Sequence, residues 1–154
     1  MSQRFLRGQN VDNLGYPIIG KNSEVFAEAD PVTIDSNGFL DGLTTPGTTT
    51  RVIGFHLGAA TMAATNQTVA KVKPQYIKAD KCEMAFPSDI DCTQTDVGVA
   101  AHFTTGSATG AFVVDLLAGG DGPVFVLGFD PDGLADNDDV VCVAAEPQHL
   151  FSQA

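Results

Sequence analysis

Short apolar runs, each separated from the next by turn-forming residues, dominate this sequence. The runs alternate apolar and polar residues or are rich in β-branched side chains, which is typical of strands. Gly, Asn and Asp in the intervening segments supply the positive φ angles of hairpin turns, and Pro presets φ beside them. The pattern predicts an all-β fold, a small barrel or sandwich, in which only 57–66 could form a helix, of a few turns at most. The nine predicted strands are 24–27, 31–35, 51–57, 68–72, 75–79, 97–103, 111–117, 124–129 and 140–145.

Side-chain alternation assigns faces to some of these strands. In 51–57, Ile53, Phe55 and Leu57 form a bulky row predicted to face the core, while His56 lies on the lighter face. His102 falls on the lighter face of 97–103 in the same way. Strands 124–129 and 140–145 are apolar on both faces, so they are predicted to be central and buried.

The 154 residues suit one domain or two small lobes. We predict an extended N-terminal arm (residues 1–22), a β lobe at 23–81 and a second β lobe at 82–154, with one continuous domain over 23–154 as the alternative. No apolar run approaches the roughly 20 residues that span a bilayer, and the N-terminus lacks the apolar core of a secretion signal. A membrane role and Sec-type export are therefore not expected.

Charge is unevenly distributed along the chain. Residues 1–81 hold all eight basic and seven acidic residues, and residues 82–154 hold 12 acidic residues, so the halves carry +1 and −12 of the total of −11. An acidic half repels phosphate, which argues against nucleic acid as a partner. The acidic charge of residues 82–154 is better explained by a need for solubility or by a partner with a basic surface.

Motifs that carry enzyme chemistry are missing from the sequence, including G-x-S-x-G, the P-loop, H-E-x-x-H and C-x-x-C. Cys82, Cys92 and Cys142 have neither zinc-site spacing nor the density of a disulfide framework, so we predict reduced thiols, with a Cys82–Cys92 bridge as the alternative. The chain is predicted to work by binding, without a cofactor. An enzyme using His56 or His102 with an acid is the competing hypothesis.

One acidic segment has the composition of a calcium-binding loop. Its carboxylates offer the oxygen ligands that Ca²⁺ prefers, although the spacing is not that of an EF-hand. The prediction is no metal, with a calcium loop as the alternative. The residues concerned are Asp130, Asp132, Asp136, Asp138 and the adjacent Asp139.

Several stretches resemble the capsid decoration (cement) proteins of tailed bacteriophages. Residues 26–40, Phe-Ala-Glu-Ala-Asp-Pro-Val-Thr-Ile-Asp-Ser-Asn-Gly-Phe-Leu, followed by Arg-Val-Ile-Gly-Phe at 51–55 and Thr-Val-Ala-Lys-Val-Lys at 68–73, look like the small β-barrel of that family. Asp-Val-Gly-Val at 96–99, the turn around Gly119, Val-Leu-Gly-Phe-Asp-Pro at 126–131 and 140–148 resemble a second lobe of such head proteins. Together these stretches cover most of residues 24–148.

The resemblance implies a structural protein on the outer surface of a capsid, where it stabilises contacts between major capsid subunits. It also implies that copies sit at symmetry axes, so we expect a dimer or trimer located on the virion exterior. A carbohydrate- or receptor-binding β-domain of a tail or surface fibre is the alternative function.

The N-terminal arm has apolar residues with little periodicity, so it is predicted to lie across a partner, as the capsid-docking element. Packing on its own body is the alternative. The predicted docking residues are Arg4, Phe5, Leu6, Arg7, Tyr16, Ile18 and Ile19.

Overall fold

The computed structural model describes residues 3–43, 52–64, 74–105, 110–117, 122–129 and 140–145, which form short strands and three single-turn 3₁₀ helices. The 3₁₀ helices are Val11–Asn13, Ala79–Lys81 and Gln94–Asp96. Among the described residues, no helix is long and apolar enough to cross a membrane. The strands are β1 Arg4–Arg7, β2 Val25–Phe26, β3 Pro31–Ile34, β4 Leu40–Gly42, β5 Gly54–His56, β6 Ala60–Thr61, β7 Tyr76–Lys78, β8 Glu83–Pro87, β9 Ala100–Thr105, β10 Val113–Asp115, β11 Val124–Phe129 and β12 Val140–Ala145.

These strands pair in three antiparallel sheets. The large sheet has the order β1-β8-β12-β11-β9-β10, the small sheet has the order β4-β3-β5-β7, and β2 pairs with β6. The all-β prediction is confirmed, and β11 and β12 are central as predicted. The described part of the large sheet is open, with β1 and β10 at its edges, so no closed barrel is present among these strands.

The first core lies between the inner face of the large sheet and one face of the small sheet. A row of rings crosses it, in which Phe55 of the small sheet contacts Phe86, Phe86 contacts Phe103, and Phe103 contacts Phe112, with centroids 5.8, 5.0 and 5.7 Å apart. Tilted and edge-on rings at these distances add to the stabilisation from burial. This core joins residues from both sides of the predicted boundary at 81/82.

A second core covers the opposite face of the small sheet. Successive side chains of a strand point to opposite faces, so in β7 Ile77 enters the first core and Tyr76 enters the second. The small sheet is therefore buried on both of its faces. The second core is made of Phe26, Val32, Leu40, Ile53, Met62 and Tyr76.

Some local predictions are wrong. The one segment that could have formed a helix, 57–66, instead turns at Gly58, where φ is +74°, and then forms β6 against β2. Strand β11 is buried on one face only, since Leu127 is 44% exposed. His56 was assigned to a lighter face but is buried, because that face of the small sheet carries the second core. The predicted strand 68–72 lies outside the described residues.

Candidate docking surface on the N-terminal segment

The first part of the N-terminal arm is a strand of the large sheet. β1 pairs with β8, with Arg4 opposite Ala85 and Phe5 opposite Met84. Phe5 lies opposite Met84, a residue of the first core, and its side chain packs against that core. The arm therefore contacts its own body, which is the alternative left open by the sequence.

Residues 14–21, which we call the strap, continue across the small sheet. At the β7 edge, the Gly15 N–H donates to the Tyr76 carbonyl over 2.9 Å. At the β4 edge, Leu40 N–H donates to the Ile19 carbonyl and Lys21 N–H donates to the Leu40 carbonyl, both over 2.9 Å. Because β7 and β4 are opposite edges of the small sheet, the strap closes both, and it satisfies backbone groups that otherwise invite pairing with other chains.

A buried carboxylate anchors the start of the arm. Asp30 accepts hydrogen bonds from Gln3 Nε2 at 2.6 Å, from Gly110 N–H at 2.8 Å and from Ala27 N–H at 2.9 Å. Gln3 Oε1 in turn accepts from Phe112 N–H at 3.2 Å. Because each donor belongs to a different segment, this network ties the arm to both sheets.

The seven predicted docking residues divide by exposure. Arg7 and Tyr16 are exposed, whereas Phe5 packs on the first core and Ile18 on the second. Arg7 pairs with Glu83 over 3.3 Å on an exposed surface, where such a pair contributes little to stability. The three residues that remain are half-buried, namely Arg4, Leu6 and Ile19.

A groove opens beside the most exposed part of the strap. Tyr16 is 77% exposed, and Val11 just before the strap is 79% exposed. The groove has a volume of about 160 Å³. That volume accommodates one side chain of a partner, whereas small-molecule pockets are typically about 300 Å³ or larger. Its lining residues are Leu14, Gly15, Pro17, Pro74, Gln75 and Tyr76.

Tyr76 forms the floor between the groove and the second core. Its side chain is 1% exposed, and its hydroxyl has no hydrogen-bond partner among the described residues. Burial raises the pKa of this hydroxyl, so it stays protonated. The apolar lining and a neutral phenol suit an uncharged side chain better than an ion.

His56, one of the two candidate catalytic histidines, is a core residue. Its ring stacks on Phe26 with centroids 4.5 Å apart and planes 3° apart, and its Nδ1 is 2.7 Å from the Gly58 carbonyl. Nε2 is buried without a hydrogen-bond partner among the described residues. Burial lowers the pKa of His56, so the ring is neutral. With 1% of the residue exposed, neither ring nitrogen faces solvent.

His102, the second candidate, lies in β9 of the large sheet. Its Nδ1 is 3.8 Å from Asp115 Oδ2 of β10, and 14% of each side chain is exposed. That distance exceeds a direct hydrogen bond. His56 and His102 therefore lie in different sheets.

The cysteine and metal predictions are tested only in part by the structure. Cys82 and Cys92 are buried as thiols rather than bridged, and burial raises the pKa of Cys82 to about 12. In the described part of the chain, no group of three His, Cys, Asp or Glu side chains gathers to hold a metal. The predicted calcium loop, with Asp130, Asp132, Asp136 and Asp138, lies outside the described residues, as does the side chain of Cys142.

Comparisons of this chain with protein-family models, curated proteins and solved structures find no match.

Proposed function

We propose that this chain is a structural virion protein that binds the outer surface of a phage capsid and stabilises contacts between major capsid subunits. The resemblance of residues 24–148 to capsid decoration proteins supplies the class of partner. The observation that carries the docking site is the placement of Tyr16, which is more than three-quarters exposed and lies between the groove-lining residues Gly15 and Pro17.

The strap suits a docking role because it is already ordered. Main-chain hydrogen bonds hold it at both edges of the small sheet, so binding costs little additional conformational entropy. A tyrosine projecting from a rigid segment is a common hot spot, since it buries a large area with few rotatable bonds. Repeated over many copies on a shell, a modest contact of this kind gives high avidity.

In this proposal the chain works by binding and has no catalytic role. Its partner is the major capsid protein, and it acts as a dimer or trimer on the virion exterior, without contact to nucleic acid. The second candidate, a carbohydrate- or receptor-binding domain of a fibre, is favoured by one observation: exposed Tyr16 offers an aromatic platform for a sugar ring. The chain has no Trp and one other Tyr, which limits such a site.

The test is co-sedimentation of the purified protein with phage capsids assembled without it, after its solution mass has been measured by light scattering. Tyr16→Ala is the main variant, and Leu117→Ala is the matched control because both side chains are 77% exposed. We expect Tyr16→Ala to weaken binding about 30-fold, which corresponds to about 2 kcal/mol for a hot spot. Leu117→Ala should bind as the unmodified protein does.

Each other outcome contradicts a different part of the proposal. If the unmodified protein ignores capsids, the virion role is wrong and a glycan screen becomes the next measurement. If it binds but Tyr16→Ala binds equally well, the docking surface lies elsewhere. Point substitution is preferred to deletion of the arm, because deletion removes β1 and opens both edges of the small sheet.

A further inference from the structure

Two carboxyl groups and one amine meet where the strap joins the small sheet. Lys21, at the end of the strap, places its Nζ 3.1 Å from Asp41 Oδ2 of β4. Only 10% of the Asp41 side chain is exposed, compared with 46% for Lys21. Glu24 approaches from the segment before β2, and its Oε1 accepts a hydrogen bond from Gly42 N–H at 3.3 Å.

The second oxygen of Asp41 lacks an ordinary donor. Oδ1 is buried, and none of the described N–H or hydroxyl groups donates to it. The Glu24 carboxyl lies beside Asp41, because its Oε1 accepts from the N–H of the next residue, Gly42, and a hydrogen bond from Glu24 would satisfy Asp41 Oδ1. Two ionised carboxylates are acceptors only, so this hydrogen bond requires a proton. Because the Lys21 amine pairs with Asp41, we assign the proton to Glu24.

We propose that Glu24 and Asp41 form a proton-operated latch that fastens the end of the strap to β4. With a proton on Glu24, its hydroxyl donates to Asp41 Oδ1 and the buried oxygen is satisfied. Without that proton, two like charges lie close together beside Lys21, and Oδ1 loses its donor. Among the residues that the structure describes, Asp35, in the turn between β3 and β4, also acts on Lys21.

The direction of the pH effect follows from the environment of Glu24. Burial, and then the charge of Asp41 and the hydrogen bond to it, raise the pKa of Glu24 above its ordinary value of 4.5. The folded protein therefore holds a proton that the unfolded chain releases, and the latch contributes most stability below about pH 4.5. That contribution is lost as the pH rises through the pKa of folded Glu24. The strap should be fastened in acid and looser near neutral pH.

Glu24→Gln tests the latch, because the Gln amide can donate permanently to Asp41 Oδ1 while its carbonyl still accepts from Gly42 N–H. Glu28→Gln is the matched control, since it makes the same change in charge at an exposed residue. Urea unfolding of the three proteins is compared from pH 4.5 to pH 8. We expect the midpoint of Glu24→Gln to exceed that of the unmodified protein by an amount that grows with pH, and the midpoint of Glu28→Gln to show no such growth.

Hydrogen exchange then locates the effect in the strap. The amides of Lys21 and Leu40, which join the strap to β4, should lose protection relative to β8 amides as the pH rises. In Glu24→Gln that loss should be absent. Parallel stability profiles for Glu24→Gln and the unmodified protein, or equal loss of protection in both, would overturn the latch. These experiments use the isolated protein, so they do not depend on the capsid proposal.

Discussion

Replacing Gly15 by Ala tests whether the strap is held as tightly on the small sheet as its geometry indicates. A methyl group at residue 15 would lie 2.1 Å from two ring carbons of Tyr76 and 2.4 Å from its hydroxyl oxygen. Ordinary contacts of this kind are 3.4–4 Å, so either the strap or the ring has to move by more than an ångström. The ring cannot move freely, because Tyr76 is 1% exposed and packs in the second core on the side away from the groove.

The expected cost has two parts. Overpacking a filled core costs about 1–3 kcal/mol. The strap also lifts in part, which weakens the hydrogen bond from Gly15 N–H to the Tyr76 carbonyl and costs about 1 kcal/mol more. Together these give about 2–4 kcal/mol, and with a urea m-value of about 2 kcal/mol/M the midpoint falls by about 1–2 M.

Urea unfolding followed by circular dichroism measures this change, and Gly128→Ala is the control. Gly128 also lies in an extended segment, but a methyl group there meets nothing within 4 Å, so we expect a change below about 0.5 kcal/mol. Adding Tyr76→Leu to Gly15→Ala removes the ring that the methyl group strikes, so the double variant should lose less stability than the two single changes added together. A Gly15→Ala protein as stable as the Gly128→Ala protein would refute the tight strap.

Two further predictions concern buried polar groups. Asp30→Asn replaces one carboxylate oxygen by an NH₂ group, which then faces the N–H of Gly110 or of Ala27. We expect the free energy of unfolding to fall by about 2–4 kcal/mol, because two donors cannot hydrogen-bond to each other. Thermal unfolding measures this loss, with the exposed change Asp12→Asn as the control. His56 titrates in the opposite sense to Glu24: burial lowers the pKa of its ring below the ordinary 6.5, so stability is lost as the pH falls below about 6.5. As the pH falls from 7 to 5, the free energy of unfolding of His56→Phe should therefore rise relative to that of the unmodified protein. A constant difference over that range would contradict the assignment of His56 as a buried, neutral ring.

The strands whose residues are almost all apolar could be predicted from the sequence. The segments at 124–129 and 140–145 have the predicted ends and the predicted central places, because a Val-rich run is most stable with a hydrogen-bonded neighbour on each side. β8, Glu83–Pro87, was missed even though it lies between β1 and β12. It contains Glu, Ala and a terminal Pro, which have weak strand preference, and pairing with the strands on either side compensates for this.

The burial of His56 was not predictable from its own strand. In Gly54-Phe55-His56 the alternation correctly separates two faces, but it does not show that a second layer covers the lighter one. That layer comes from residues distant in sequence, including Phe26, which stacks on the ring. Period-2 alternation assigns a side chain to one face of a strand, but it does not show what packs on that face. The burial of His56 depends on these tertiary contacts, so its own strand could not predict it.

The arm shows why a hydrophobic segment does not by itself identify a docking residue. Apolar groups that can reach their own sheet are present at the high effective concentration of an intramolecular contact, so they bind there before they bind a partner. Ile18 follows this rule, since it packs on the second core. Tyr16 lies in the same strap but points away from the body, and its area remains available to another molecule. Sequence hydrophobicity therefore identifies the segment, whereas the contacts of the strap with its own sheet decide which of its residues is left for a partner.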